Sequence, residues 1–225
     1  MAKALFITAT GTDVGKTYVS ALICKRMKDE GFNIGYYKAA LSGSSDIKDS
    51  DAWYVKRKAN LEDEYNEMVS YTYKHAYSPH LAAQIEGNPT DMKVIKKAYK
   101  DISKKHDYMI VEGSGGIICP IRYDNDKKIF LEDIIKELDL PCLIVADAGL
   151  GTINSAVLTV EYMRSKKIKI KGIILNRFEI GNVMHEDNKK MIEEITGINT
   201  AGLVIQNTLK KENKFHADNL SSLFE

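Results

Sequence analysis

The stretch ALFITATGTDVGKT, residues 4–17, decides how the rest of the chain is read. Ala4, Leu5, Phe6, Ile7 and Ala9 make a nearly continuous apolar run, the mark of a strand covered on both faces. A glycine-punctuated turn follows. Residues 18–30 then carry Val19, Leu22, Ile23 and Met27 at helical spacing, and Gly31 ends the helix. A loop between strand and helix turns backbone N–H groups and the positive helix end towards an anion, so it suits phosphate oxygens. Lys16 would reach the outer phosphates, and the Thr17 hydroxyl would ligate Mg²⁺. The strict pattern G-x-x-x-x-G-K-[ST] is not met, because Thr10 stands at its first glycine and Gly11 follows one residue later. Gly15-Lys16-Thr17 alone is a weak signal. Its place between an N-terminal strand and a helix supplies the specificity.

The same rhythm runs on. Strands are expected over residues 34–40, 107–112, 141–147 and 171–176, with a last one near 202–205. Helical spacing appears over residues 92–105, 131–138, 153–165 and 184–195. Short apolar strands alternating with helices predict an α/β fold, a mostly parallel sheet with helices on both faces, of the P-loop NTPase kind. The 225 residues are enough for one such domain, and no linker or repeat divides them. In these sheets ligands gather at the carboxyl ends of the strands. Lys38, Glu112, Asp147 and Asn176 all follow strand ends and are expected on one rim with the loop.

Bulk properties exclude several partners. Lys plus Arg total 32 against 31 for Asp plus Glu, so charge gives no reason to expect nucleic acid or a membrane surface. No apolar run approaches the roughly 18 residues of a membrane-spanning helix, and the first residues read as a strand rather than a signal peptide. Cys24, Cys119 and Cys142 are widely spaced and lack C-x-x-C spacing, which argues against a disulfide framework or a zinc site. Buried free thiols in a cytoplasmic protein are expected.

From Thr10 onward the chain resembles the dethiobiotin synthetase family. The T-x-T-D-x-G-K-T-like loop of that family is matched by residues 10–17. A K-P-x-x-S-G motif is matched by Lys38-Ala39-Ala40-Leu41-Ser42-Gly43, and S-D-A by Ser50-Asp51-Ala52. Ser78-Pro79-His80, Val111-Glu112-Gly113-Ser114-Gly115-Gly116, Leu150-Gly151-Thr152-Ile153-Asn154 and Asn176 follow in family order and spacing. Ala9, Ala39 and Ser114 depart from the pattern, each a small-residue or backbone change. Val204-Ile205-Gln206-Asn207 replaces an I-P segment that lies beside adenine.

The resemblance implies ATP and Mg²⁺ as co-substrate and cofactor, and ring closure of 7,8-diaminopelargonate with CO₂ through a carbamate. It implies Lys16 and Lys38 as cations for the γ-phosphate and carbamate, with Thr12 and Ser42 as donors. Asp13, Val14, Gly15, Thr17, Tyr18, Gly113, Ser114 and Gly115 would line the nucleotide. Asn176, Arg177, Ile205, Gln206 and Asn207 would border its base. Gly116 and Asn154 would meet the diamino acid, Asn154 across a homodimer interface. Thr17, Asp51 and Glu112 would hold Mg²⁺. From the residues themselves Asp46, Asp49 and Asp51 compete for that role, and Asp147 is the alternative to Glu112. Ser78-Pro79-His80 is expected to shape the wall, and Trp53, Tyr65, Tyr71, Tyr73 and Tyr77 to serve core or interface. Rival readings are a corrin-amidating relative, a partition-type ATPase and a nucleotide-sensing module. The first usually carries an added glutamine-hydrolysing domain, and the second lacks the Lys38…Ser42 pair.

Overall fold

In the computed structural model, which describes residues 1–206 and 213–225, the apolar opening becomes β1 (Lys3–Ala9), buried at every position after Lys3. The helix α1 (Lys16–Asp29) starts directly at the lysine of the loop. Its N-cap is Gly15 at φ 96°, a left-handed conformation that glycine adopts without steric cost. Then come β2 (Ile34–Ser42), α2 (Asp51–Ala59), α3 (Tyr65–Met68), β3 (Val69–Tyr73), α4 (Pro79–Ile85), α5 (Met92–Ser103) and β4 (Tyr108–Glu112). The hairpin β5 (Pro120–Tyr123) and β6 (Lys128–Phe130) precedes α6 (Leu131–Glu137). The chain continues through β7 (Cys142–Asp147), α7 (Thr152–Ser165), β8 (Ile170–Phe178), α8 (Val183–Thr196), β9 (Thr200–Ile205) and β10 (Lys214–His216).

The main sheet runs β10-β9-β8-β7-β1-β4-β2-β3, parallel throughout except for β10. Its central strands bury consecutive residues, as in Leu143, Ile144, Val145 and Ala146, so both faces are covered. The alternation read from sequence is this fold. The edge strands β3 and β10, the β5–β6 hairpin and the helices α2, α3 and α4 are additions to it. Cys24, Cys119 and Cys142 are all free and buried. Among the described residues no helix is long and apolar enough to cross a membrane.

Strand order matters most for the site. β4 lies between β1 and β2, so Glu112 at the end of β4 stands beside both the loop after β1 and Lys38 on β2. β7 and β8 lie on the other side of β1 and carry Asp147 and Asn176 away from that group.

Candidate active site

At the carboxyl ends of β1, β4 and β2 a cleft of ≈ 1070 Å³ opens. Most residues expected to act line it: Thr12, Asp13, Gly15, Lys16, Thr17 and Tyr18 from the loop and α1, with Lys38, Ser42, Asp51 and Glu112. Ser114, Gly115, Gly116 and Arg177 complete that set. Val14, Gly113, Asn154, Asn176, Ile205 and Gln206 are not among the lining residues. Asn207 lies outside the described residues.

The charged centre is compact. Lys38 Nζ donates to Asp51 Oδ2 at 2.5 Å and to Glu112 Oε1 at 2.7 Å, and the Thr17 hydroxyl donates to the same Glu112 oxygen at 2.8 Å. The side chain of Lys38 is 4% exposed and that of Glu112 0%, so the pair is shielded from water. Burial alone would lower the Lys38 ammonium, but the Glu112 and Asp51 carboxylates outweigh it and hold it above the usual lysine range. Burial pushes Asp51 up, and Lys38 overcomes this to keep it below the usual carboxylate range. Lys16 behaves differently. Burial lowers its ammonium against the pull of Glu112, and the nearby Lys38 lowers it further. That balance suits a cation poised for an anionic ligand.

Local sequence explains the placement. Ser50 caps α2 by accepting from the Trp53 amide at 3.2 Å, which sets Asp51 in the first turn facing Lys38. Asp46 instead caps the 3₁₀ turn Ile47–Asp49 through the Lys48 amide, and Asp49 lines the cleft without meeting Lys38. Of the three competing aspartates, Asp51 is the one that reaches the centre. Ser42 donates to the Tyr77 carbonyl at 2.6 Å, and Ser114 donates to the Ala40 carbonyl at 2.7 Å, tying the glycine-rich turn to β2.

The other flank supports the loop. Asn176, 3% exposed, donates through Nδ2 to the Val14 carbonyl at 2.9 Å. A Cβ at Gly15 would lie 2.1 Å from that nitrogen, so the glycine is required for close approach as well as for its φ. Arg177 donates to the Asp13 carbonyl at 2.8 Å and pairs with Asp147. Asp147 also accepts from the Gly149 amide at 2.8 Å. It is therefore engaged on the β7–β8 side and is not the acid beside Thr17. Ile205 is aligned with Phe178, and the Gln206 amide donates to the Phe178 carbonyl at 2.8 Å, on the same rim beyond Arg177.

Ser78 and Pro79 form part of the wall, as expected, while His80 faces Ser78 at 2.9 Å and does not line the cleft. Tyr71 and Tyr73 are core, whereas Tyr77 is 52% exposed and lines the cleft. Sequence reasoning missed Tyr54, Ile118, Cys119 and Pro120 in the lining. Ile118 to Pro120 directly follow the glycine-rich turn after Glu112, and that proximity was the available signal.

The donor set suits Mg²⁺. The Asp51 and Glu112 carboxylates meet at the Lys38 ammonium and the Thr17 hydroxyl reaches the same Glu112 oxygen, all hard oxygen donors, with room in the cleft for phosphate oxygens and water.

A family model described as an AAA domain matches residues 3–212. ATP-dependent dethiobiotin synthetase BioD of Brachyspira hyodysenteriae is 75% identical over 225 residues, covering 100% of both chains. The protein of that name from Clostridium perfringens is 48% identical over 210 residues, covering 91% of each. Among solved structures, the cell division protein MinD of Aquifex aeolicus superposes with TM-score 0.56 at 15% identity, over 92% of this chain and 84% of that one. A ParA family ATPase of Chlorobium tepidum gives 0.56 at 14% identity, over 92% and 86%. These two likenesses establish the fold alone, a P-loop NTPase sheet. Sequence identity across its full length places the chain in the ATP-dependent dethiobiotin synthetase family.

Proposed function

We propose that this chain, acting as a single synthetase domain over residues 1–225, converts 7,8-diaminopelargonate, CO₂ and ATP into dethiobiotin, ADP and phosphate. It is an ATP-dependent ligase. The observation that carries the reading is the Lys38 ammonium, buried between Asp51 and Glu112 beside Lys16 and Thr17. A site that only bound nucleotide would need the loop. A second buried cation a strand away fits a second anion.

One amine of the substrate takes up CO₂ and releases a proton, giving a carbamate. A carbamate oxygen attacks the γ-phosphorus and ADP leaves, producing a carbamic–phosphoric anhydride. The second amine then attacks the carbamate carbon, phosphate departs, and the cyclic urea closes. No protein nucleophile is needed. The side chains bring two anions together and neutralise charge as it builds. Lys16 faces the γ-phosphate and Lys38 the carbamate, which would otherwise repel one another. Ser42 turns its hydroxyl from the Tyr77 carbonyl to the carbamate when substrate binds, Thr12 adds a donor near the reacting amine, and Gly116 lets the substrate approach the turn closely. Thr17, Asp51 and Glu112 are the residues for Mg²⁺, which supplies charge neutralisation at the phosphates when bound.

Asp13, Gly15 and Tyr18 with Ser114 and Gly115 border the nucleotide, while Val14 and Gly113 lie behind the cleft lining. Asn176, with Nδ2 committed to Val14, keeps Oδ1 for adenine, next to Arg177, Ile205 and Gln206. Asn154 is exposed on α7 and lies off the cleft of its own subunit, near Leu150 and Leu158, which are 93% and 61% exposed. Contact with the substrate carboxylate therefore calls for a second copy, and we place this protein as a cytoplasmic homodimer. The test incubates it with diaminopelargonate, bicarbonate and MgATP and looks for dethiobiotin by mass. Absence of product from folded, nucleotide-binding protein would overturn the reading.

A further inference from the structure

Glu112 is held from two sides. Its Oε1 accepts from Thr17 and Lys38 at the cleft, while its Oε2 accepts from the Tyr36 hydroxyl at 3.1 Å on the core side. Tyr36 precedes Lys38 by two residues on β2, so strand alternation puts both side chains on one face of the sheet. The register pairs Lys38 with Glu112 and Tyr36 with Ile110, which makes Tyr36 the diagonal neighbour of Glu112. Tyr36 is 0% exposed and Glu112 1%, so water does not stand in for the phenol if it is lost.

We propose that Tyr36 is a positioning residue for Glu112: by holding Oε2 in the core it commits Oε1 to the cleft. A carboxylate free to turn about its last bond would spread its charge over several orientations. Pinned by the phenol, it offers one oxygen in one place to Lys38, Thr17 and the metal. Tyr36 has no route to the substrate and acts only through Glu112. The inference rests on the reading of Glu112 as a Mg²⁺ residue.

Tyr36→Phe keeps the ring and removes one hydroxyl, so the fold is expected to persist. Binding of a non-hydrolysable ATP analogue is titrated calorimetrically at graded Mg²⁺ for the parent, Tyr36→Phe, Glu112→Gln and the double variant, with melting curves alongside. The Mg²⁺ needed for half-maximal analogue binding should rise about tenfold or more in Tyr36→Phe, as when an outer-shell partner of a metal ligand is lost. Analogue affinity without Mg²⁺ should stay parental, and Tyr36→Phe should add no shift to Glu112→Gln. A lowered melting temperature with a parental Mg²⁺ curve would make Tyr36 a packing residue and overturn the proposal. If Glu112→Gln also left the curve unmoved, the Mg²⁺ reading of Glu112 would fall with it. If Glu112→Gln alone moved it, that reading would stand and the Tyr36 proposal would fail.

Discussion

Lys38 and Glu112 are register partners on β2 and β4, and their side chains close on each other at 2.7 Å behind the phosphate loop. Charges this well shielded are costly to leave alone. Removing one member of a buried pair typically costs about 3–5 kcal/mol, because the other stays desolvated without a partner. Lys38→Ala should therefore lower the melting temperature. It should also cut dethiobiotin formation by at least about a hundredfold, the scale for losing one charge-stabilising donor. Steady-state assays with melting curves check both, and parental turnover would remove Lys38 from the chemistry.

Thr17 donates to Glu112 Oε1 at the mouth of α1. Thr17→Ala should raise the Mg²⁺ requirement for turnover about tenfold while leaving the fold intact. A metal titration identical to the parent's would exclude Thr17 from that shell.

Gly15 combines φ 96° with a Cβ position 2.1 Å from Asn176 Nδ2. Gly15→Ala should cost on the order of 1–3 kcal/mol in backbone strain, displace Asn176 and weaken ATP binding. Adding Asn176→Ala removes the clash but not the strain, so affinity should return only in part. Calorimetric titration of both variants decides this, and undiminished binding by Gly15→Ala would show that the loop has another way to close.

Far from the cleft, His106 bridges Asn33 Oδ1 at 2.8 Å and Asp63 Oδ1 at 3.0 Å. Burial raises the Asp63 carboxyl, but the His106 hydrogen bond, its charge and that of Lys105 outweigh this and hold it below the usual carboxylate range. A carboxyl depressed on folding stabilises the native state above its unfolded value of about 4 and loses that contribution as pH falls through its folded value. Asp63→Asn should thus lower the melting temperature at neutral pH. It should also flatten the fall in stability below about pH 4. Parallel pH curves for parent and variant would mean that another group governs acid unfolding.

Much of this was legible beforehand. Continuous apolar runs such as those at Leu5 and Val145 announce buried parallel strands, because only two-sided cover tolerates them. The glycine spacing at Gly11 and Gly15 marks the turn into α1. Elements whose stability comes from neighbours rather than from their own pattern were not visible. β3 alternates Val69, Tyr71 and Tyr73 inward over five residues, too short to separate from an aromatic cluster, and β10 is a three-residue edge that exists by pairing with β9. Tyr77 is exposed and lines the cleft, where Ser42 donates to its carbonyl.

Local spacing and backbone chemistry are enough to read the strand–loop–helix unit at Gly15-Lys16-Thr17 and the set of polar residues that end strands. The sequence favoured Glu112 over the other strand-end acid, Asp147, only through the glycine-rich turn that follows Glu112. Strand order, which no local period encodes, separates them. β4 packs between β1 and β2 and delivers Glu112 to Thr17, Lys38 and Tyr36, whereas β7 packs on the far side and hands Asp147 to Arg177.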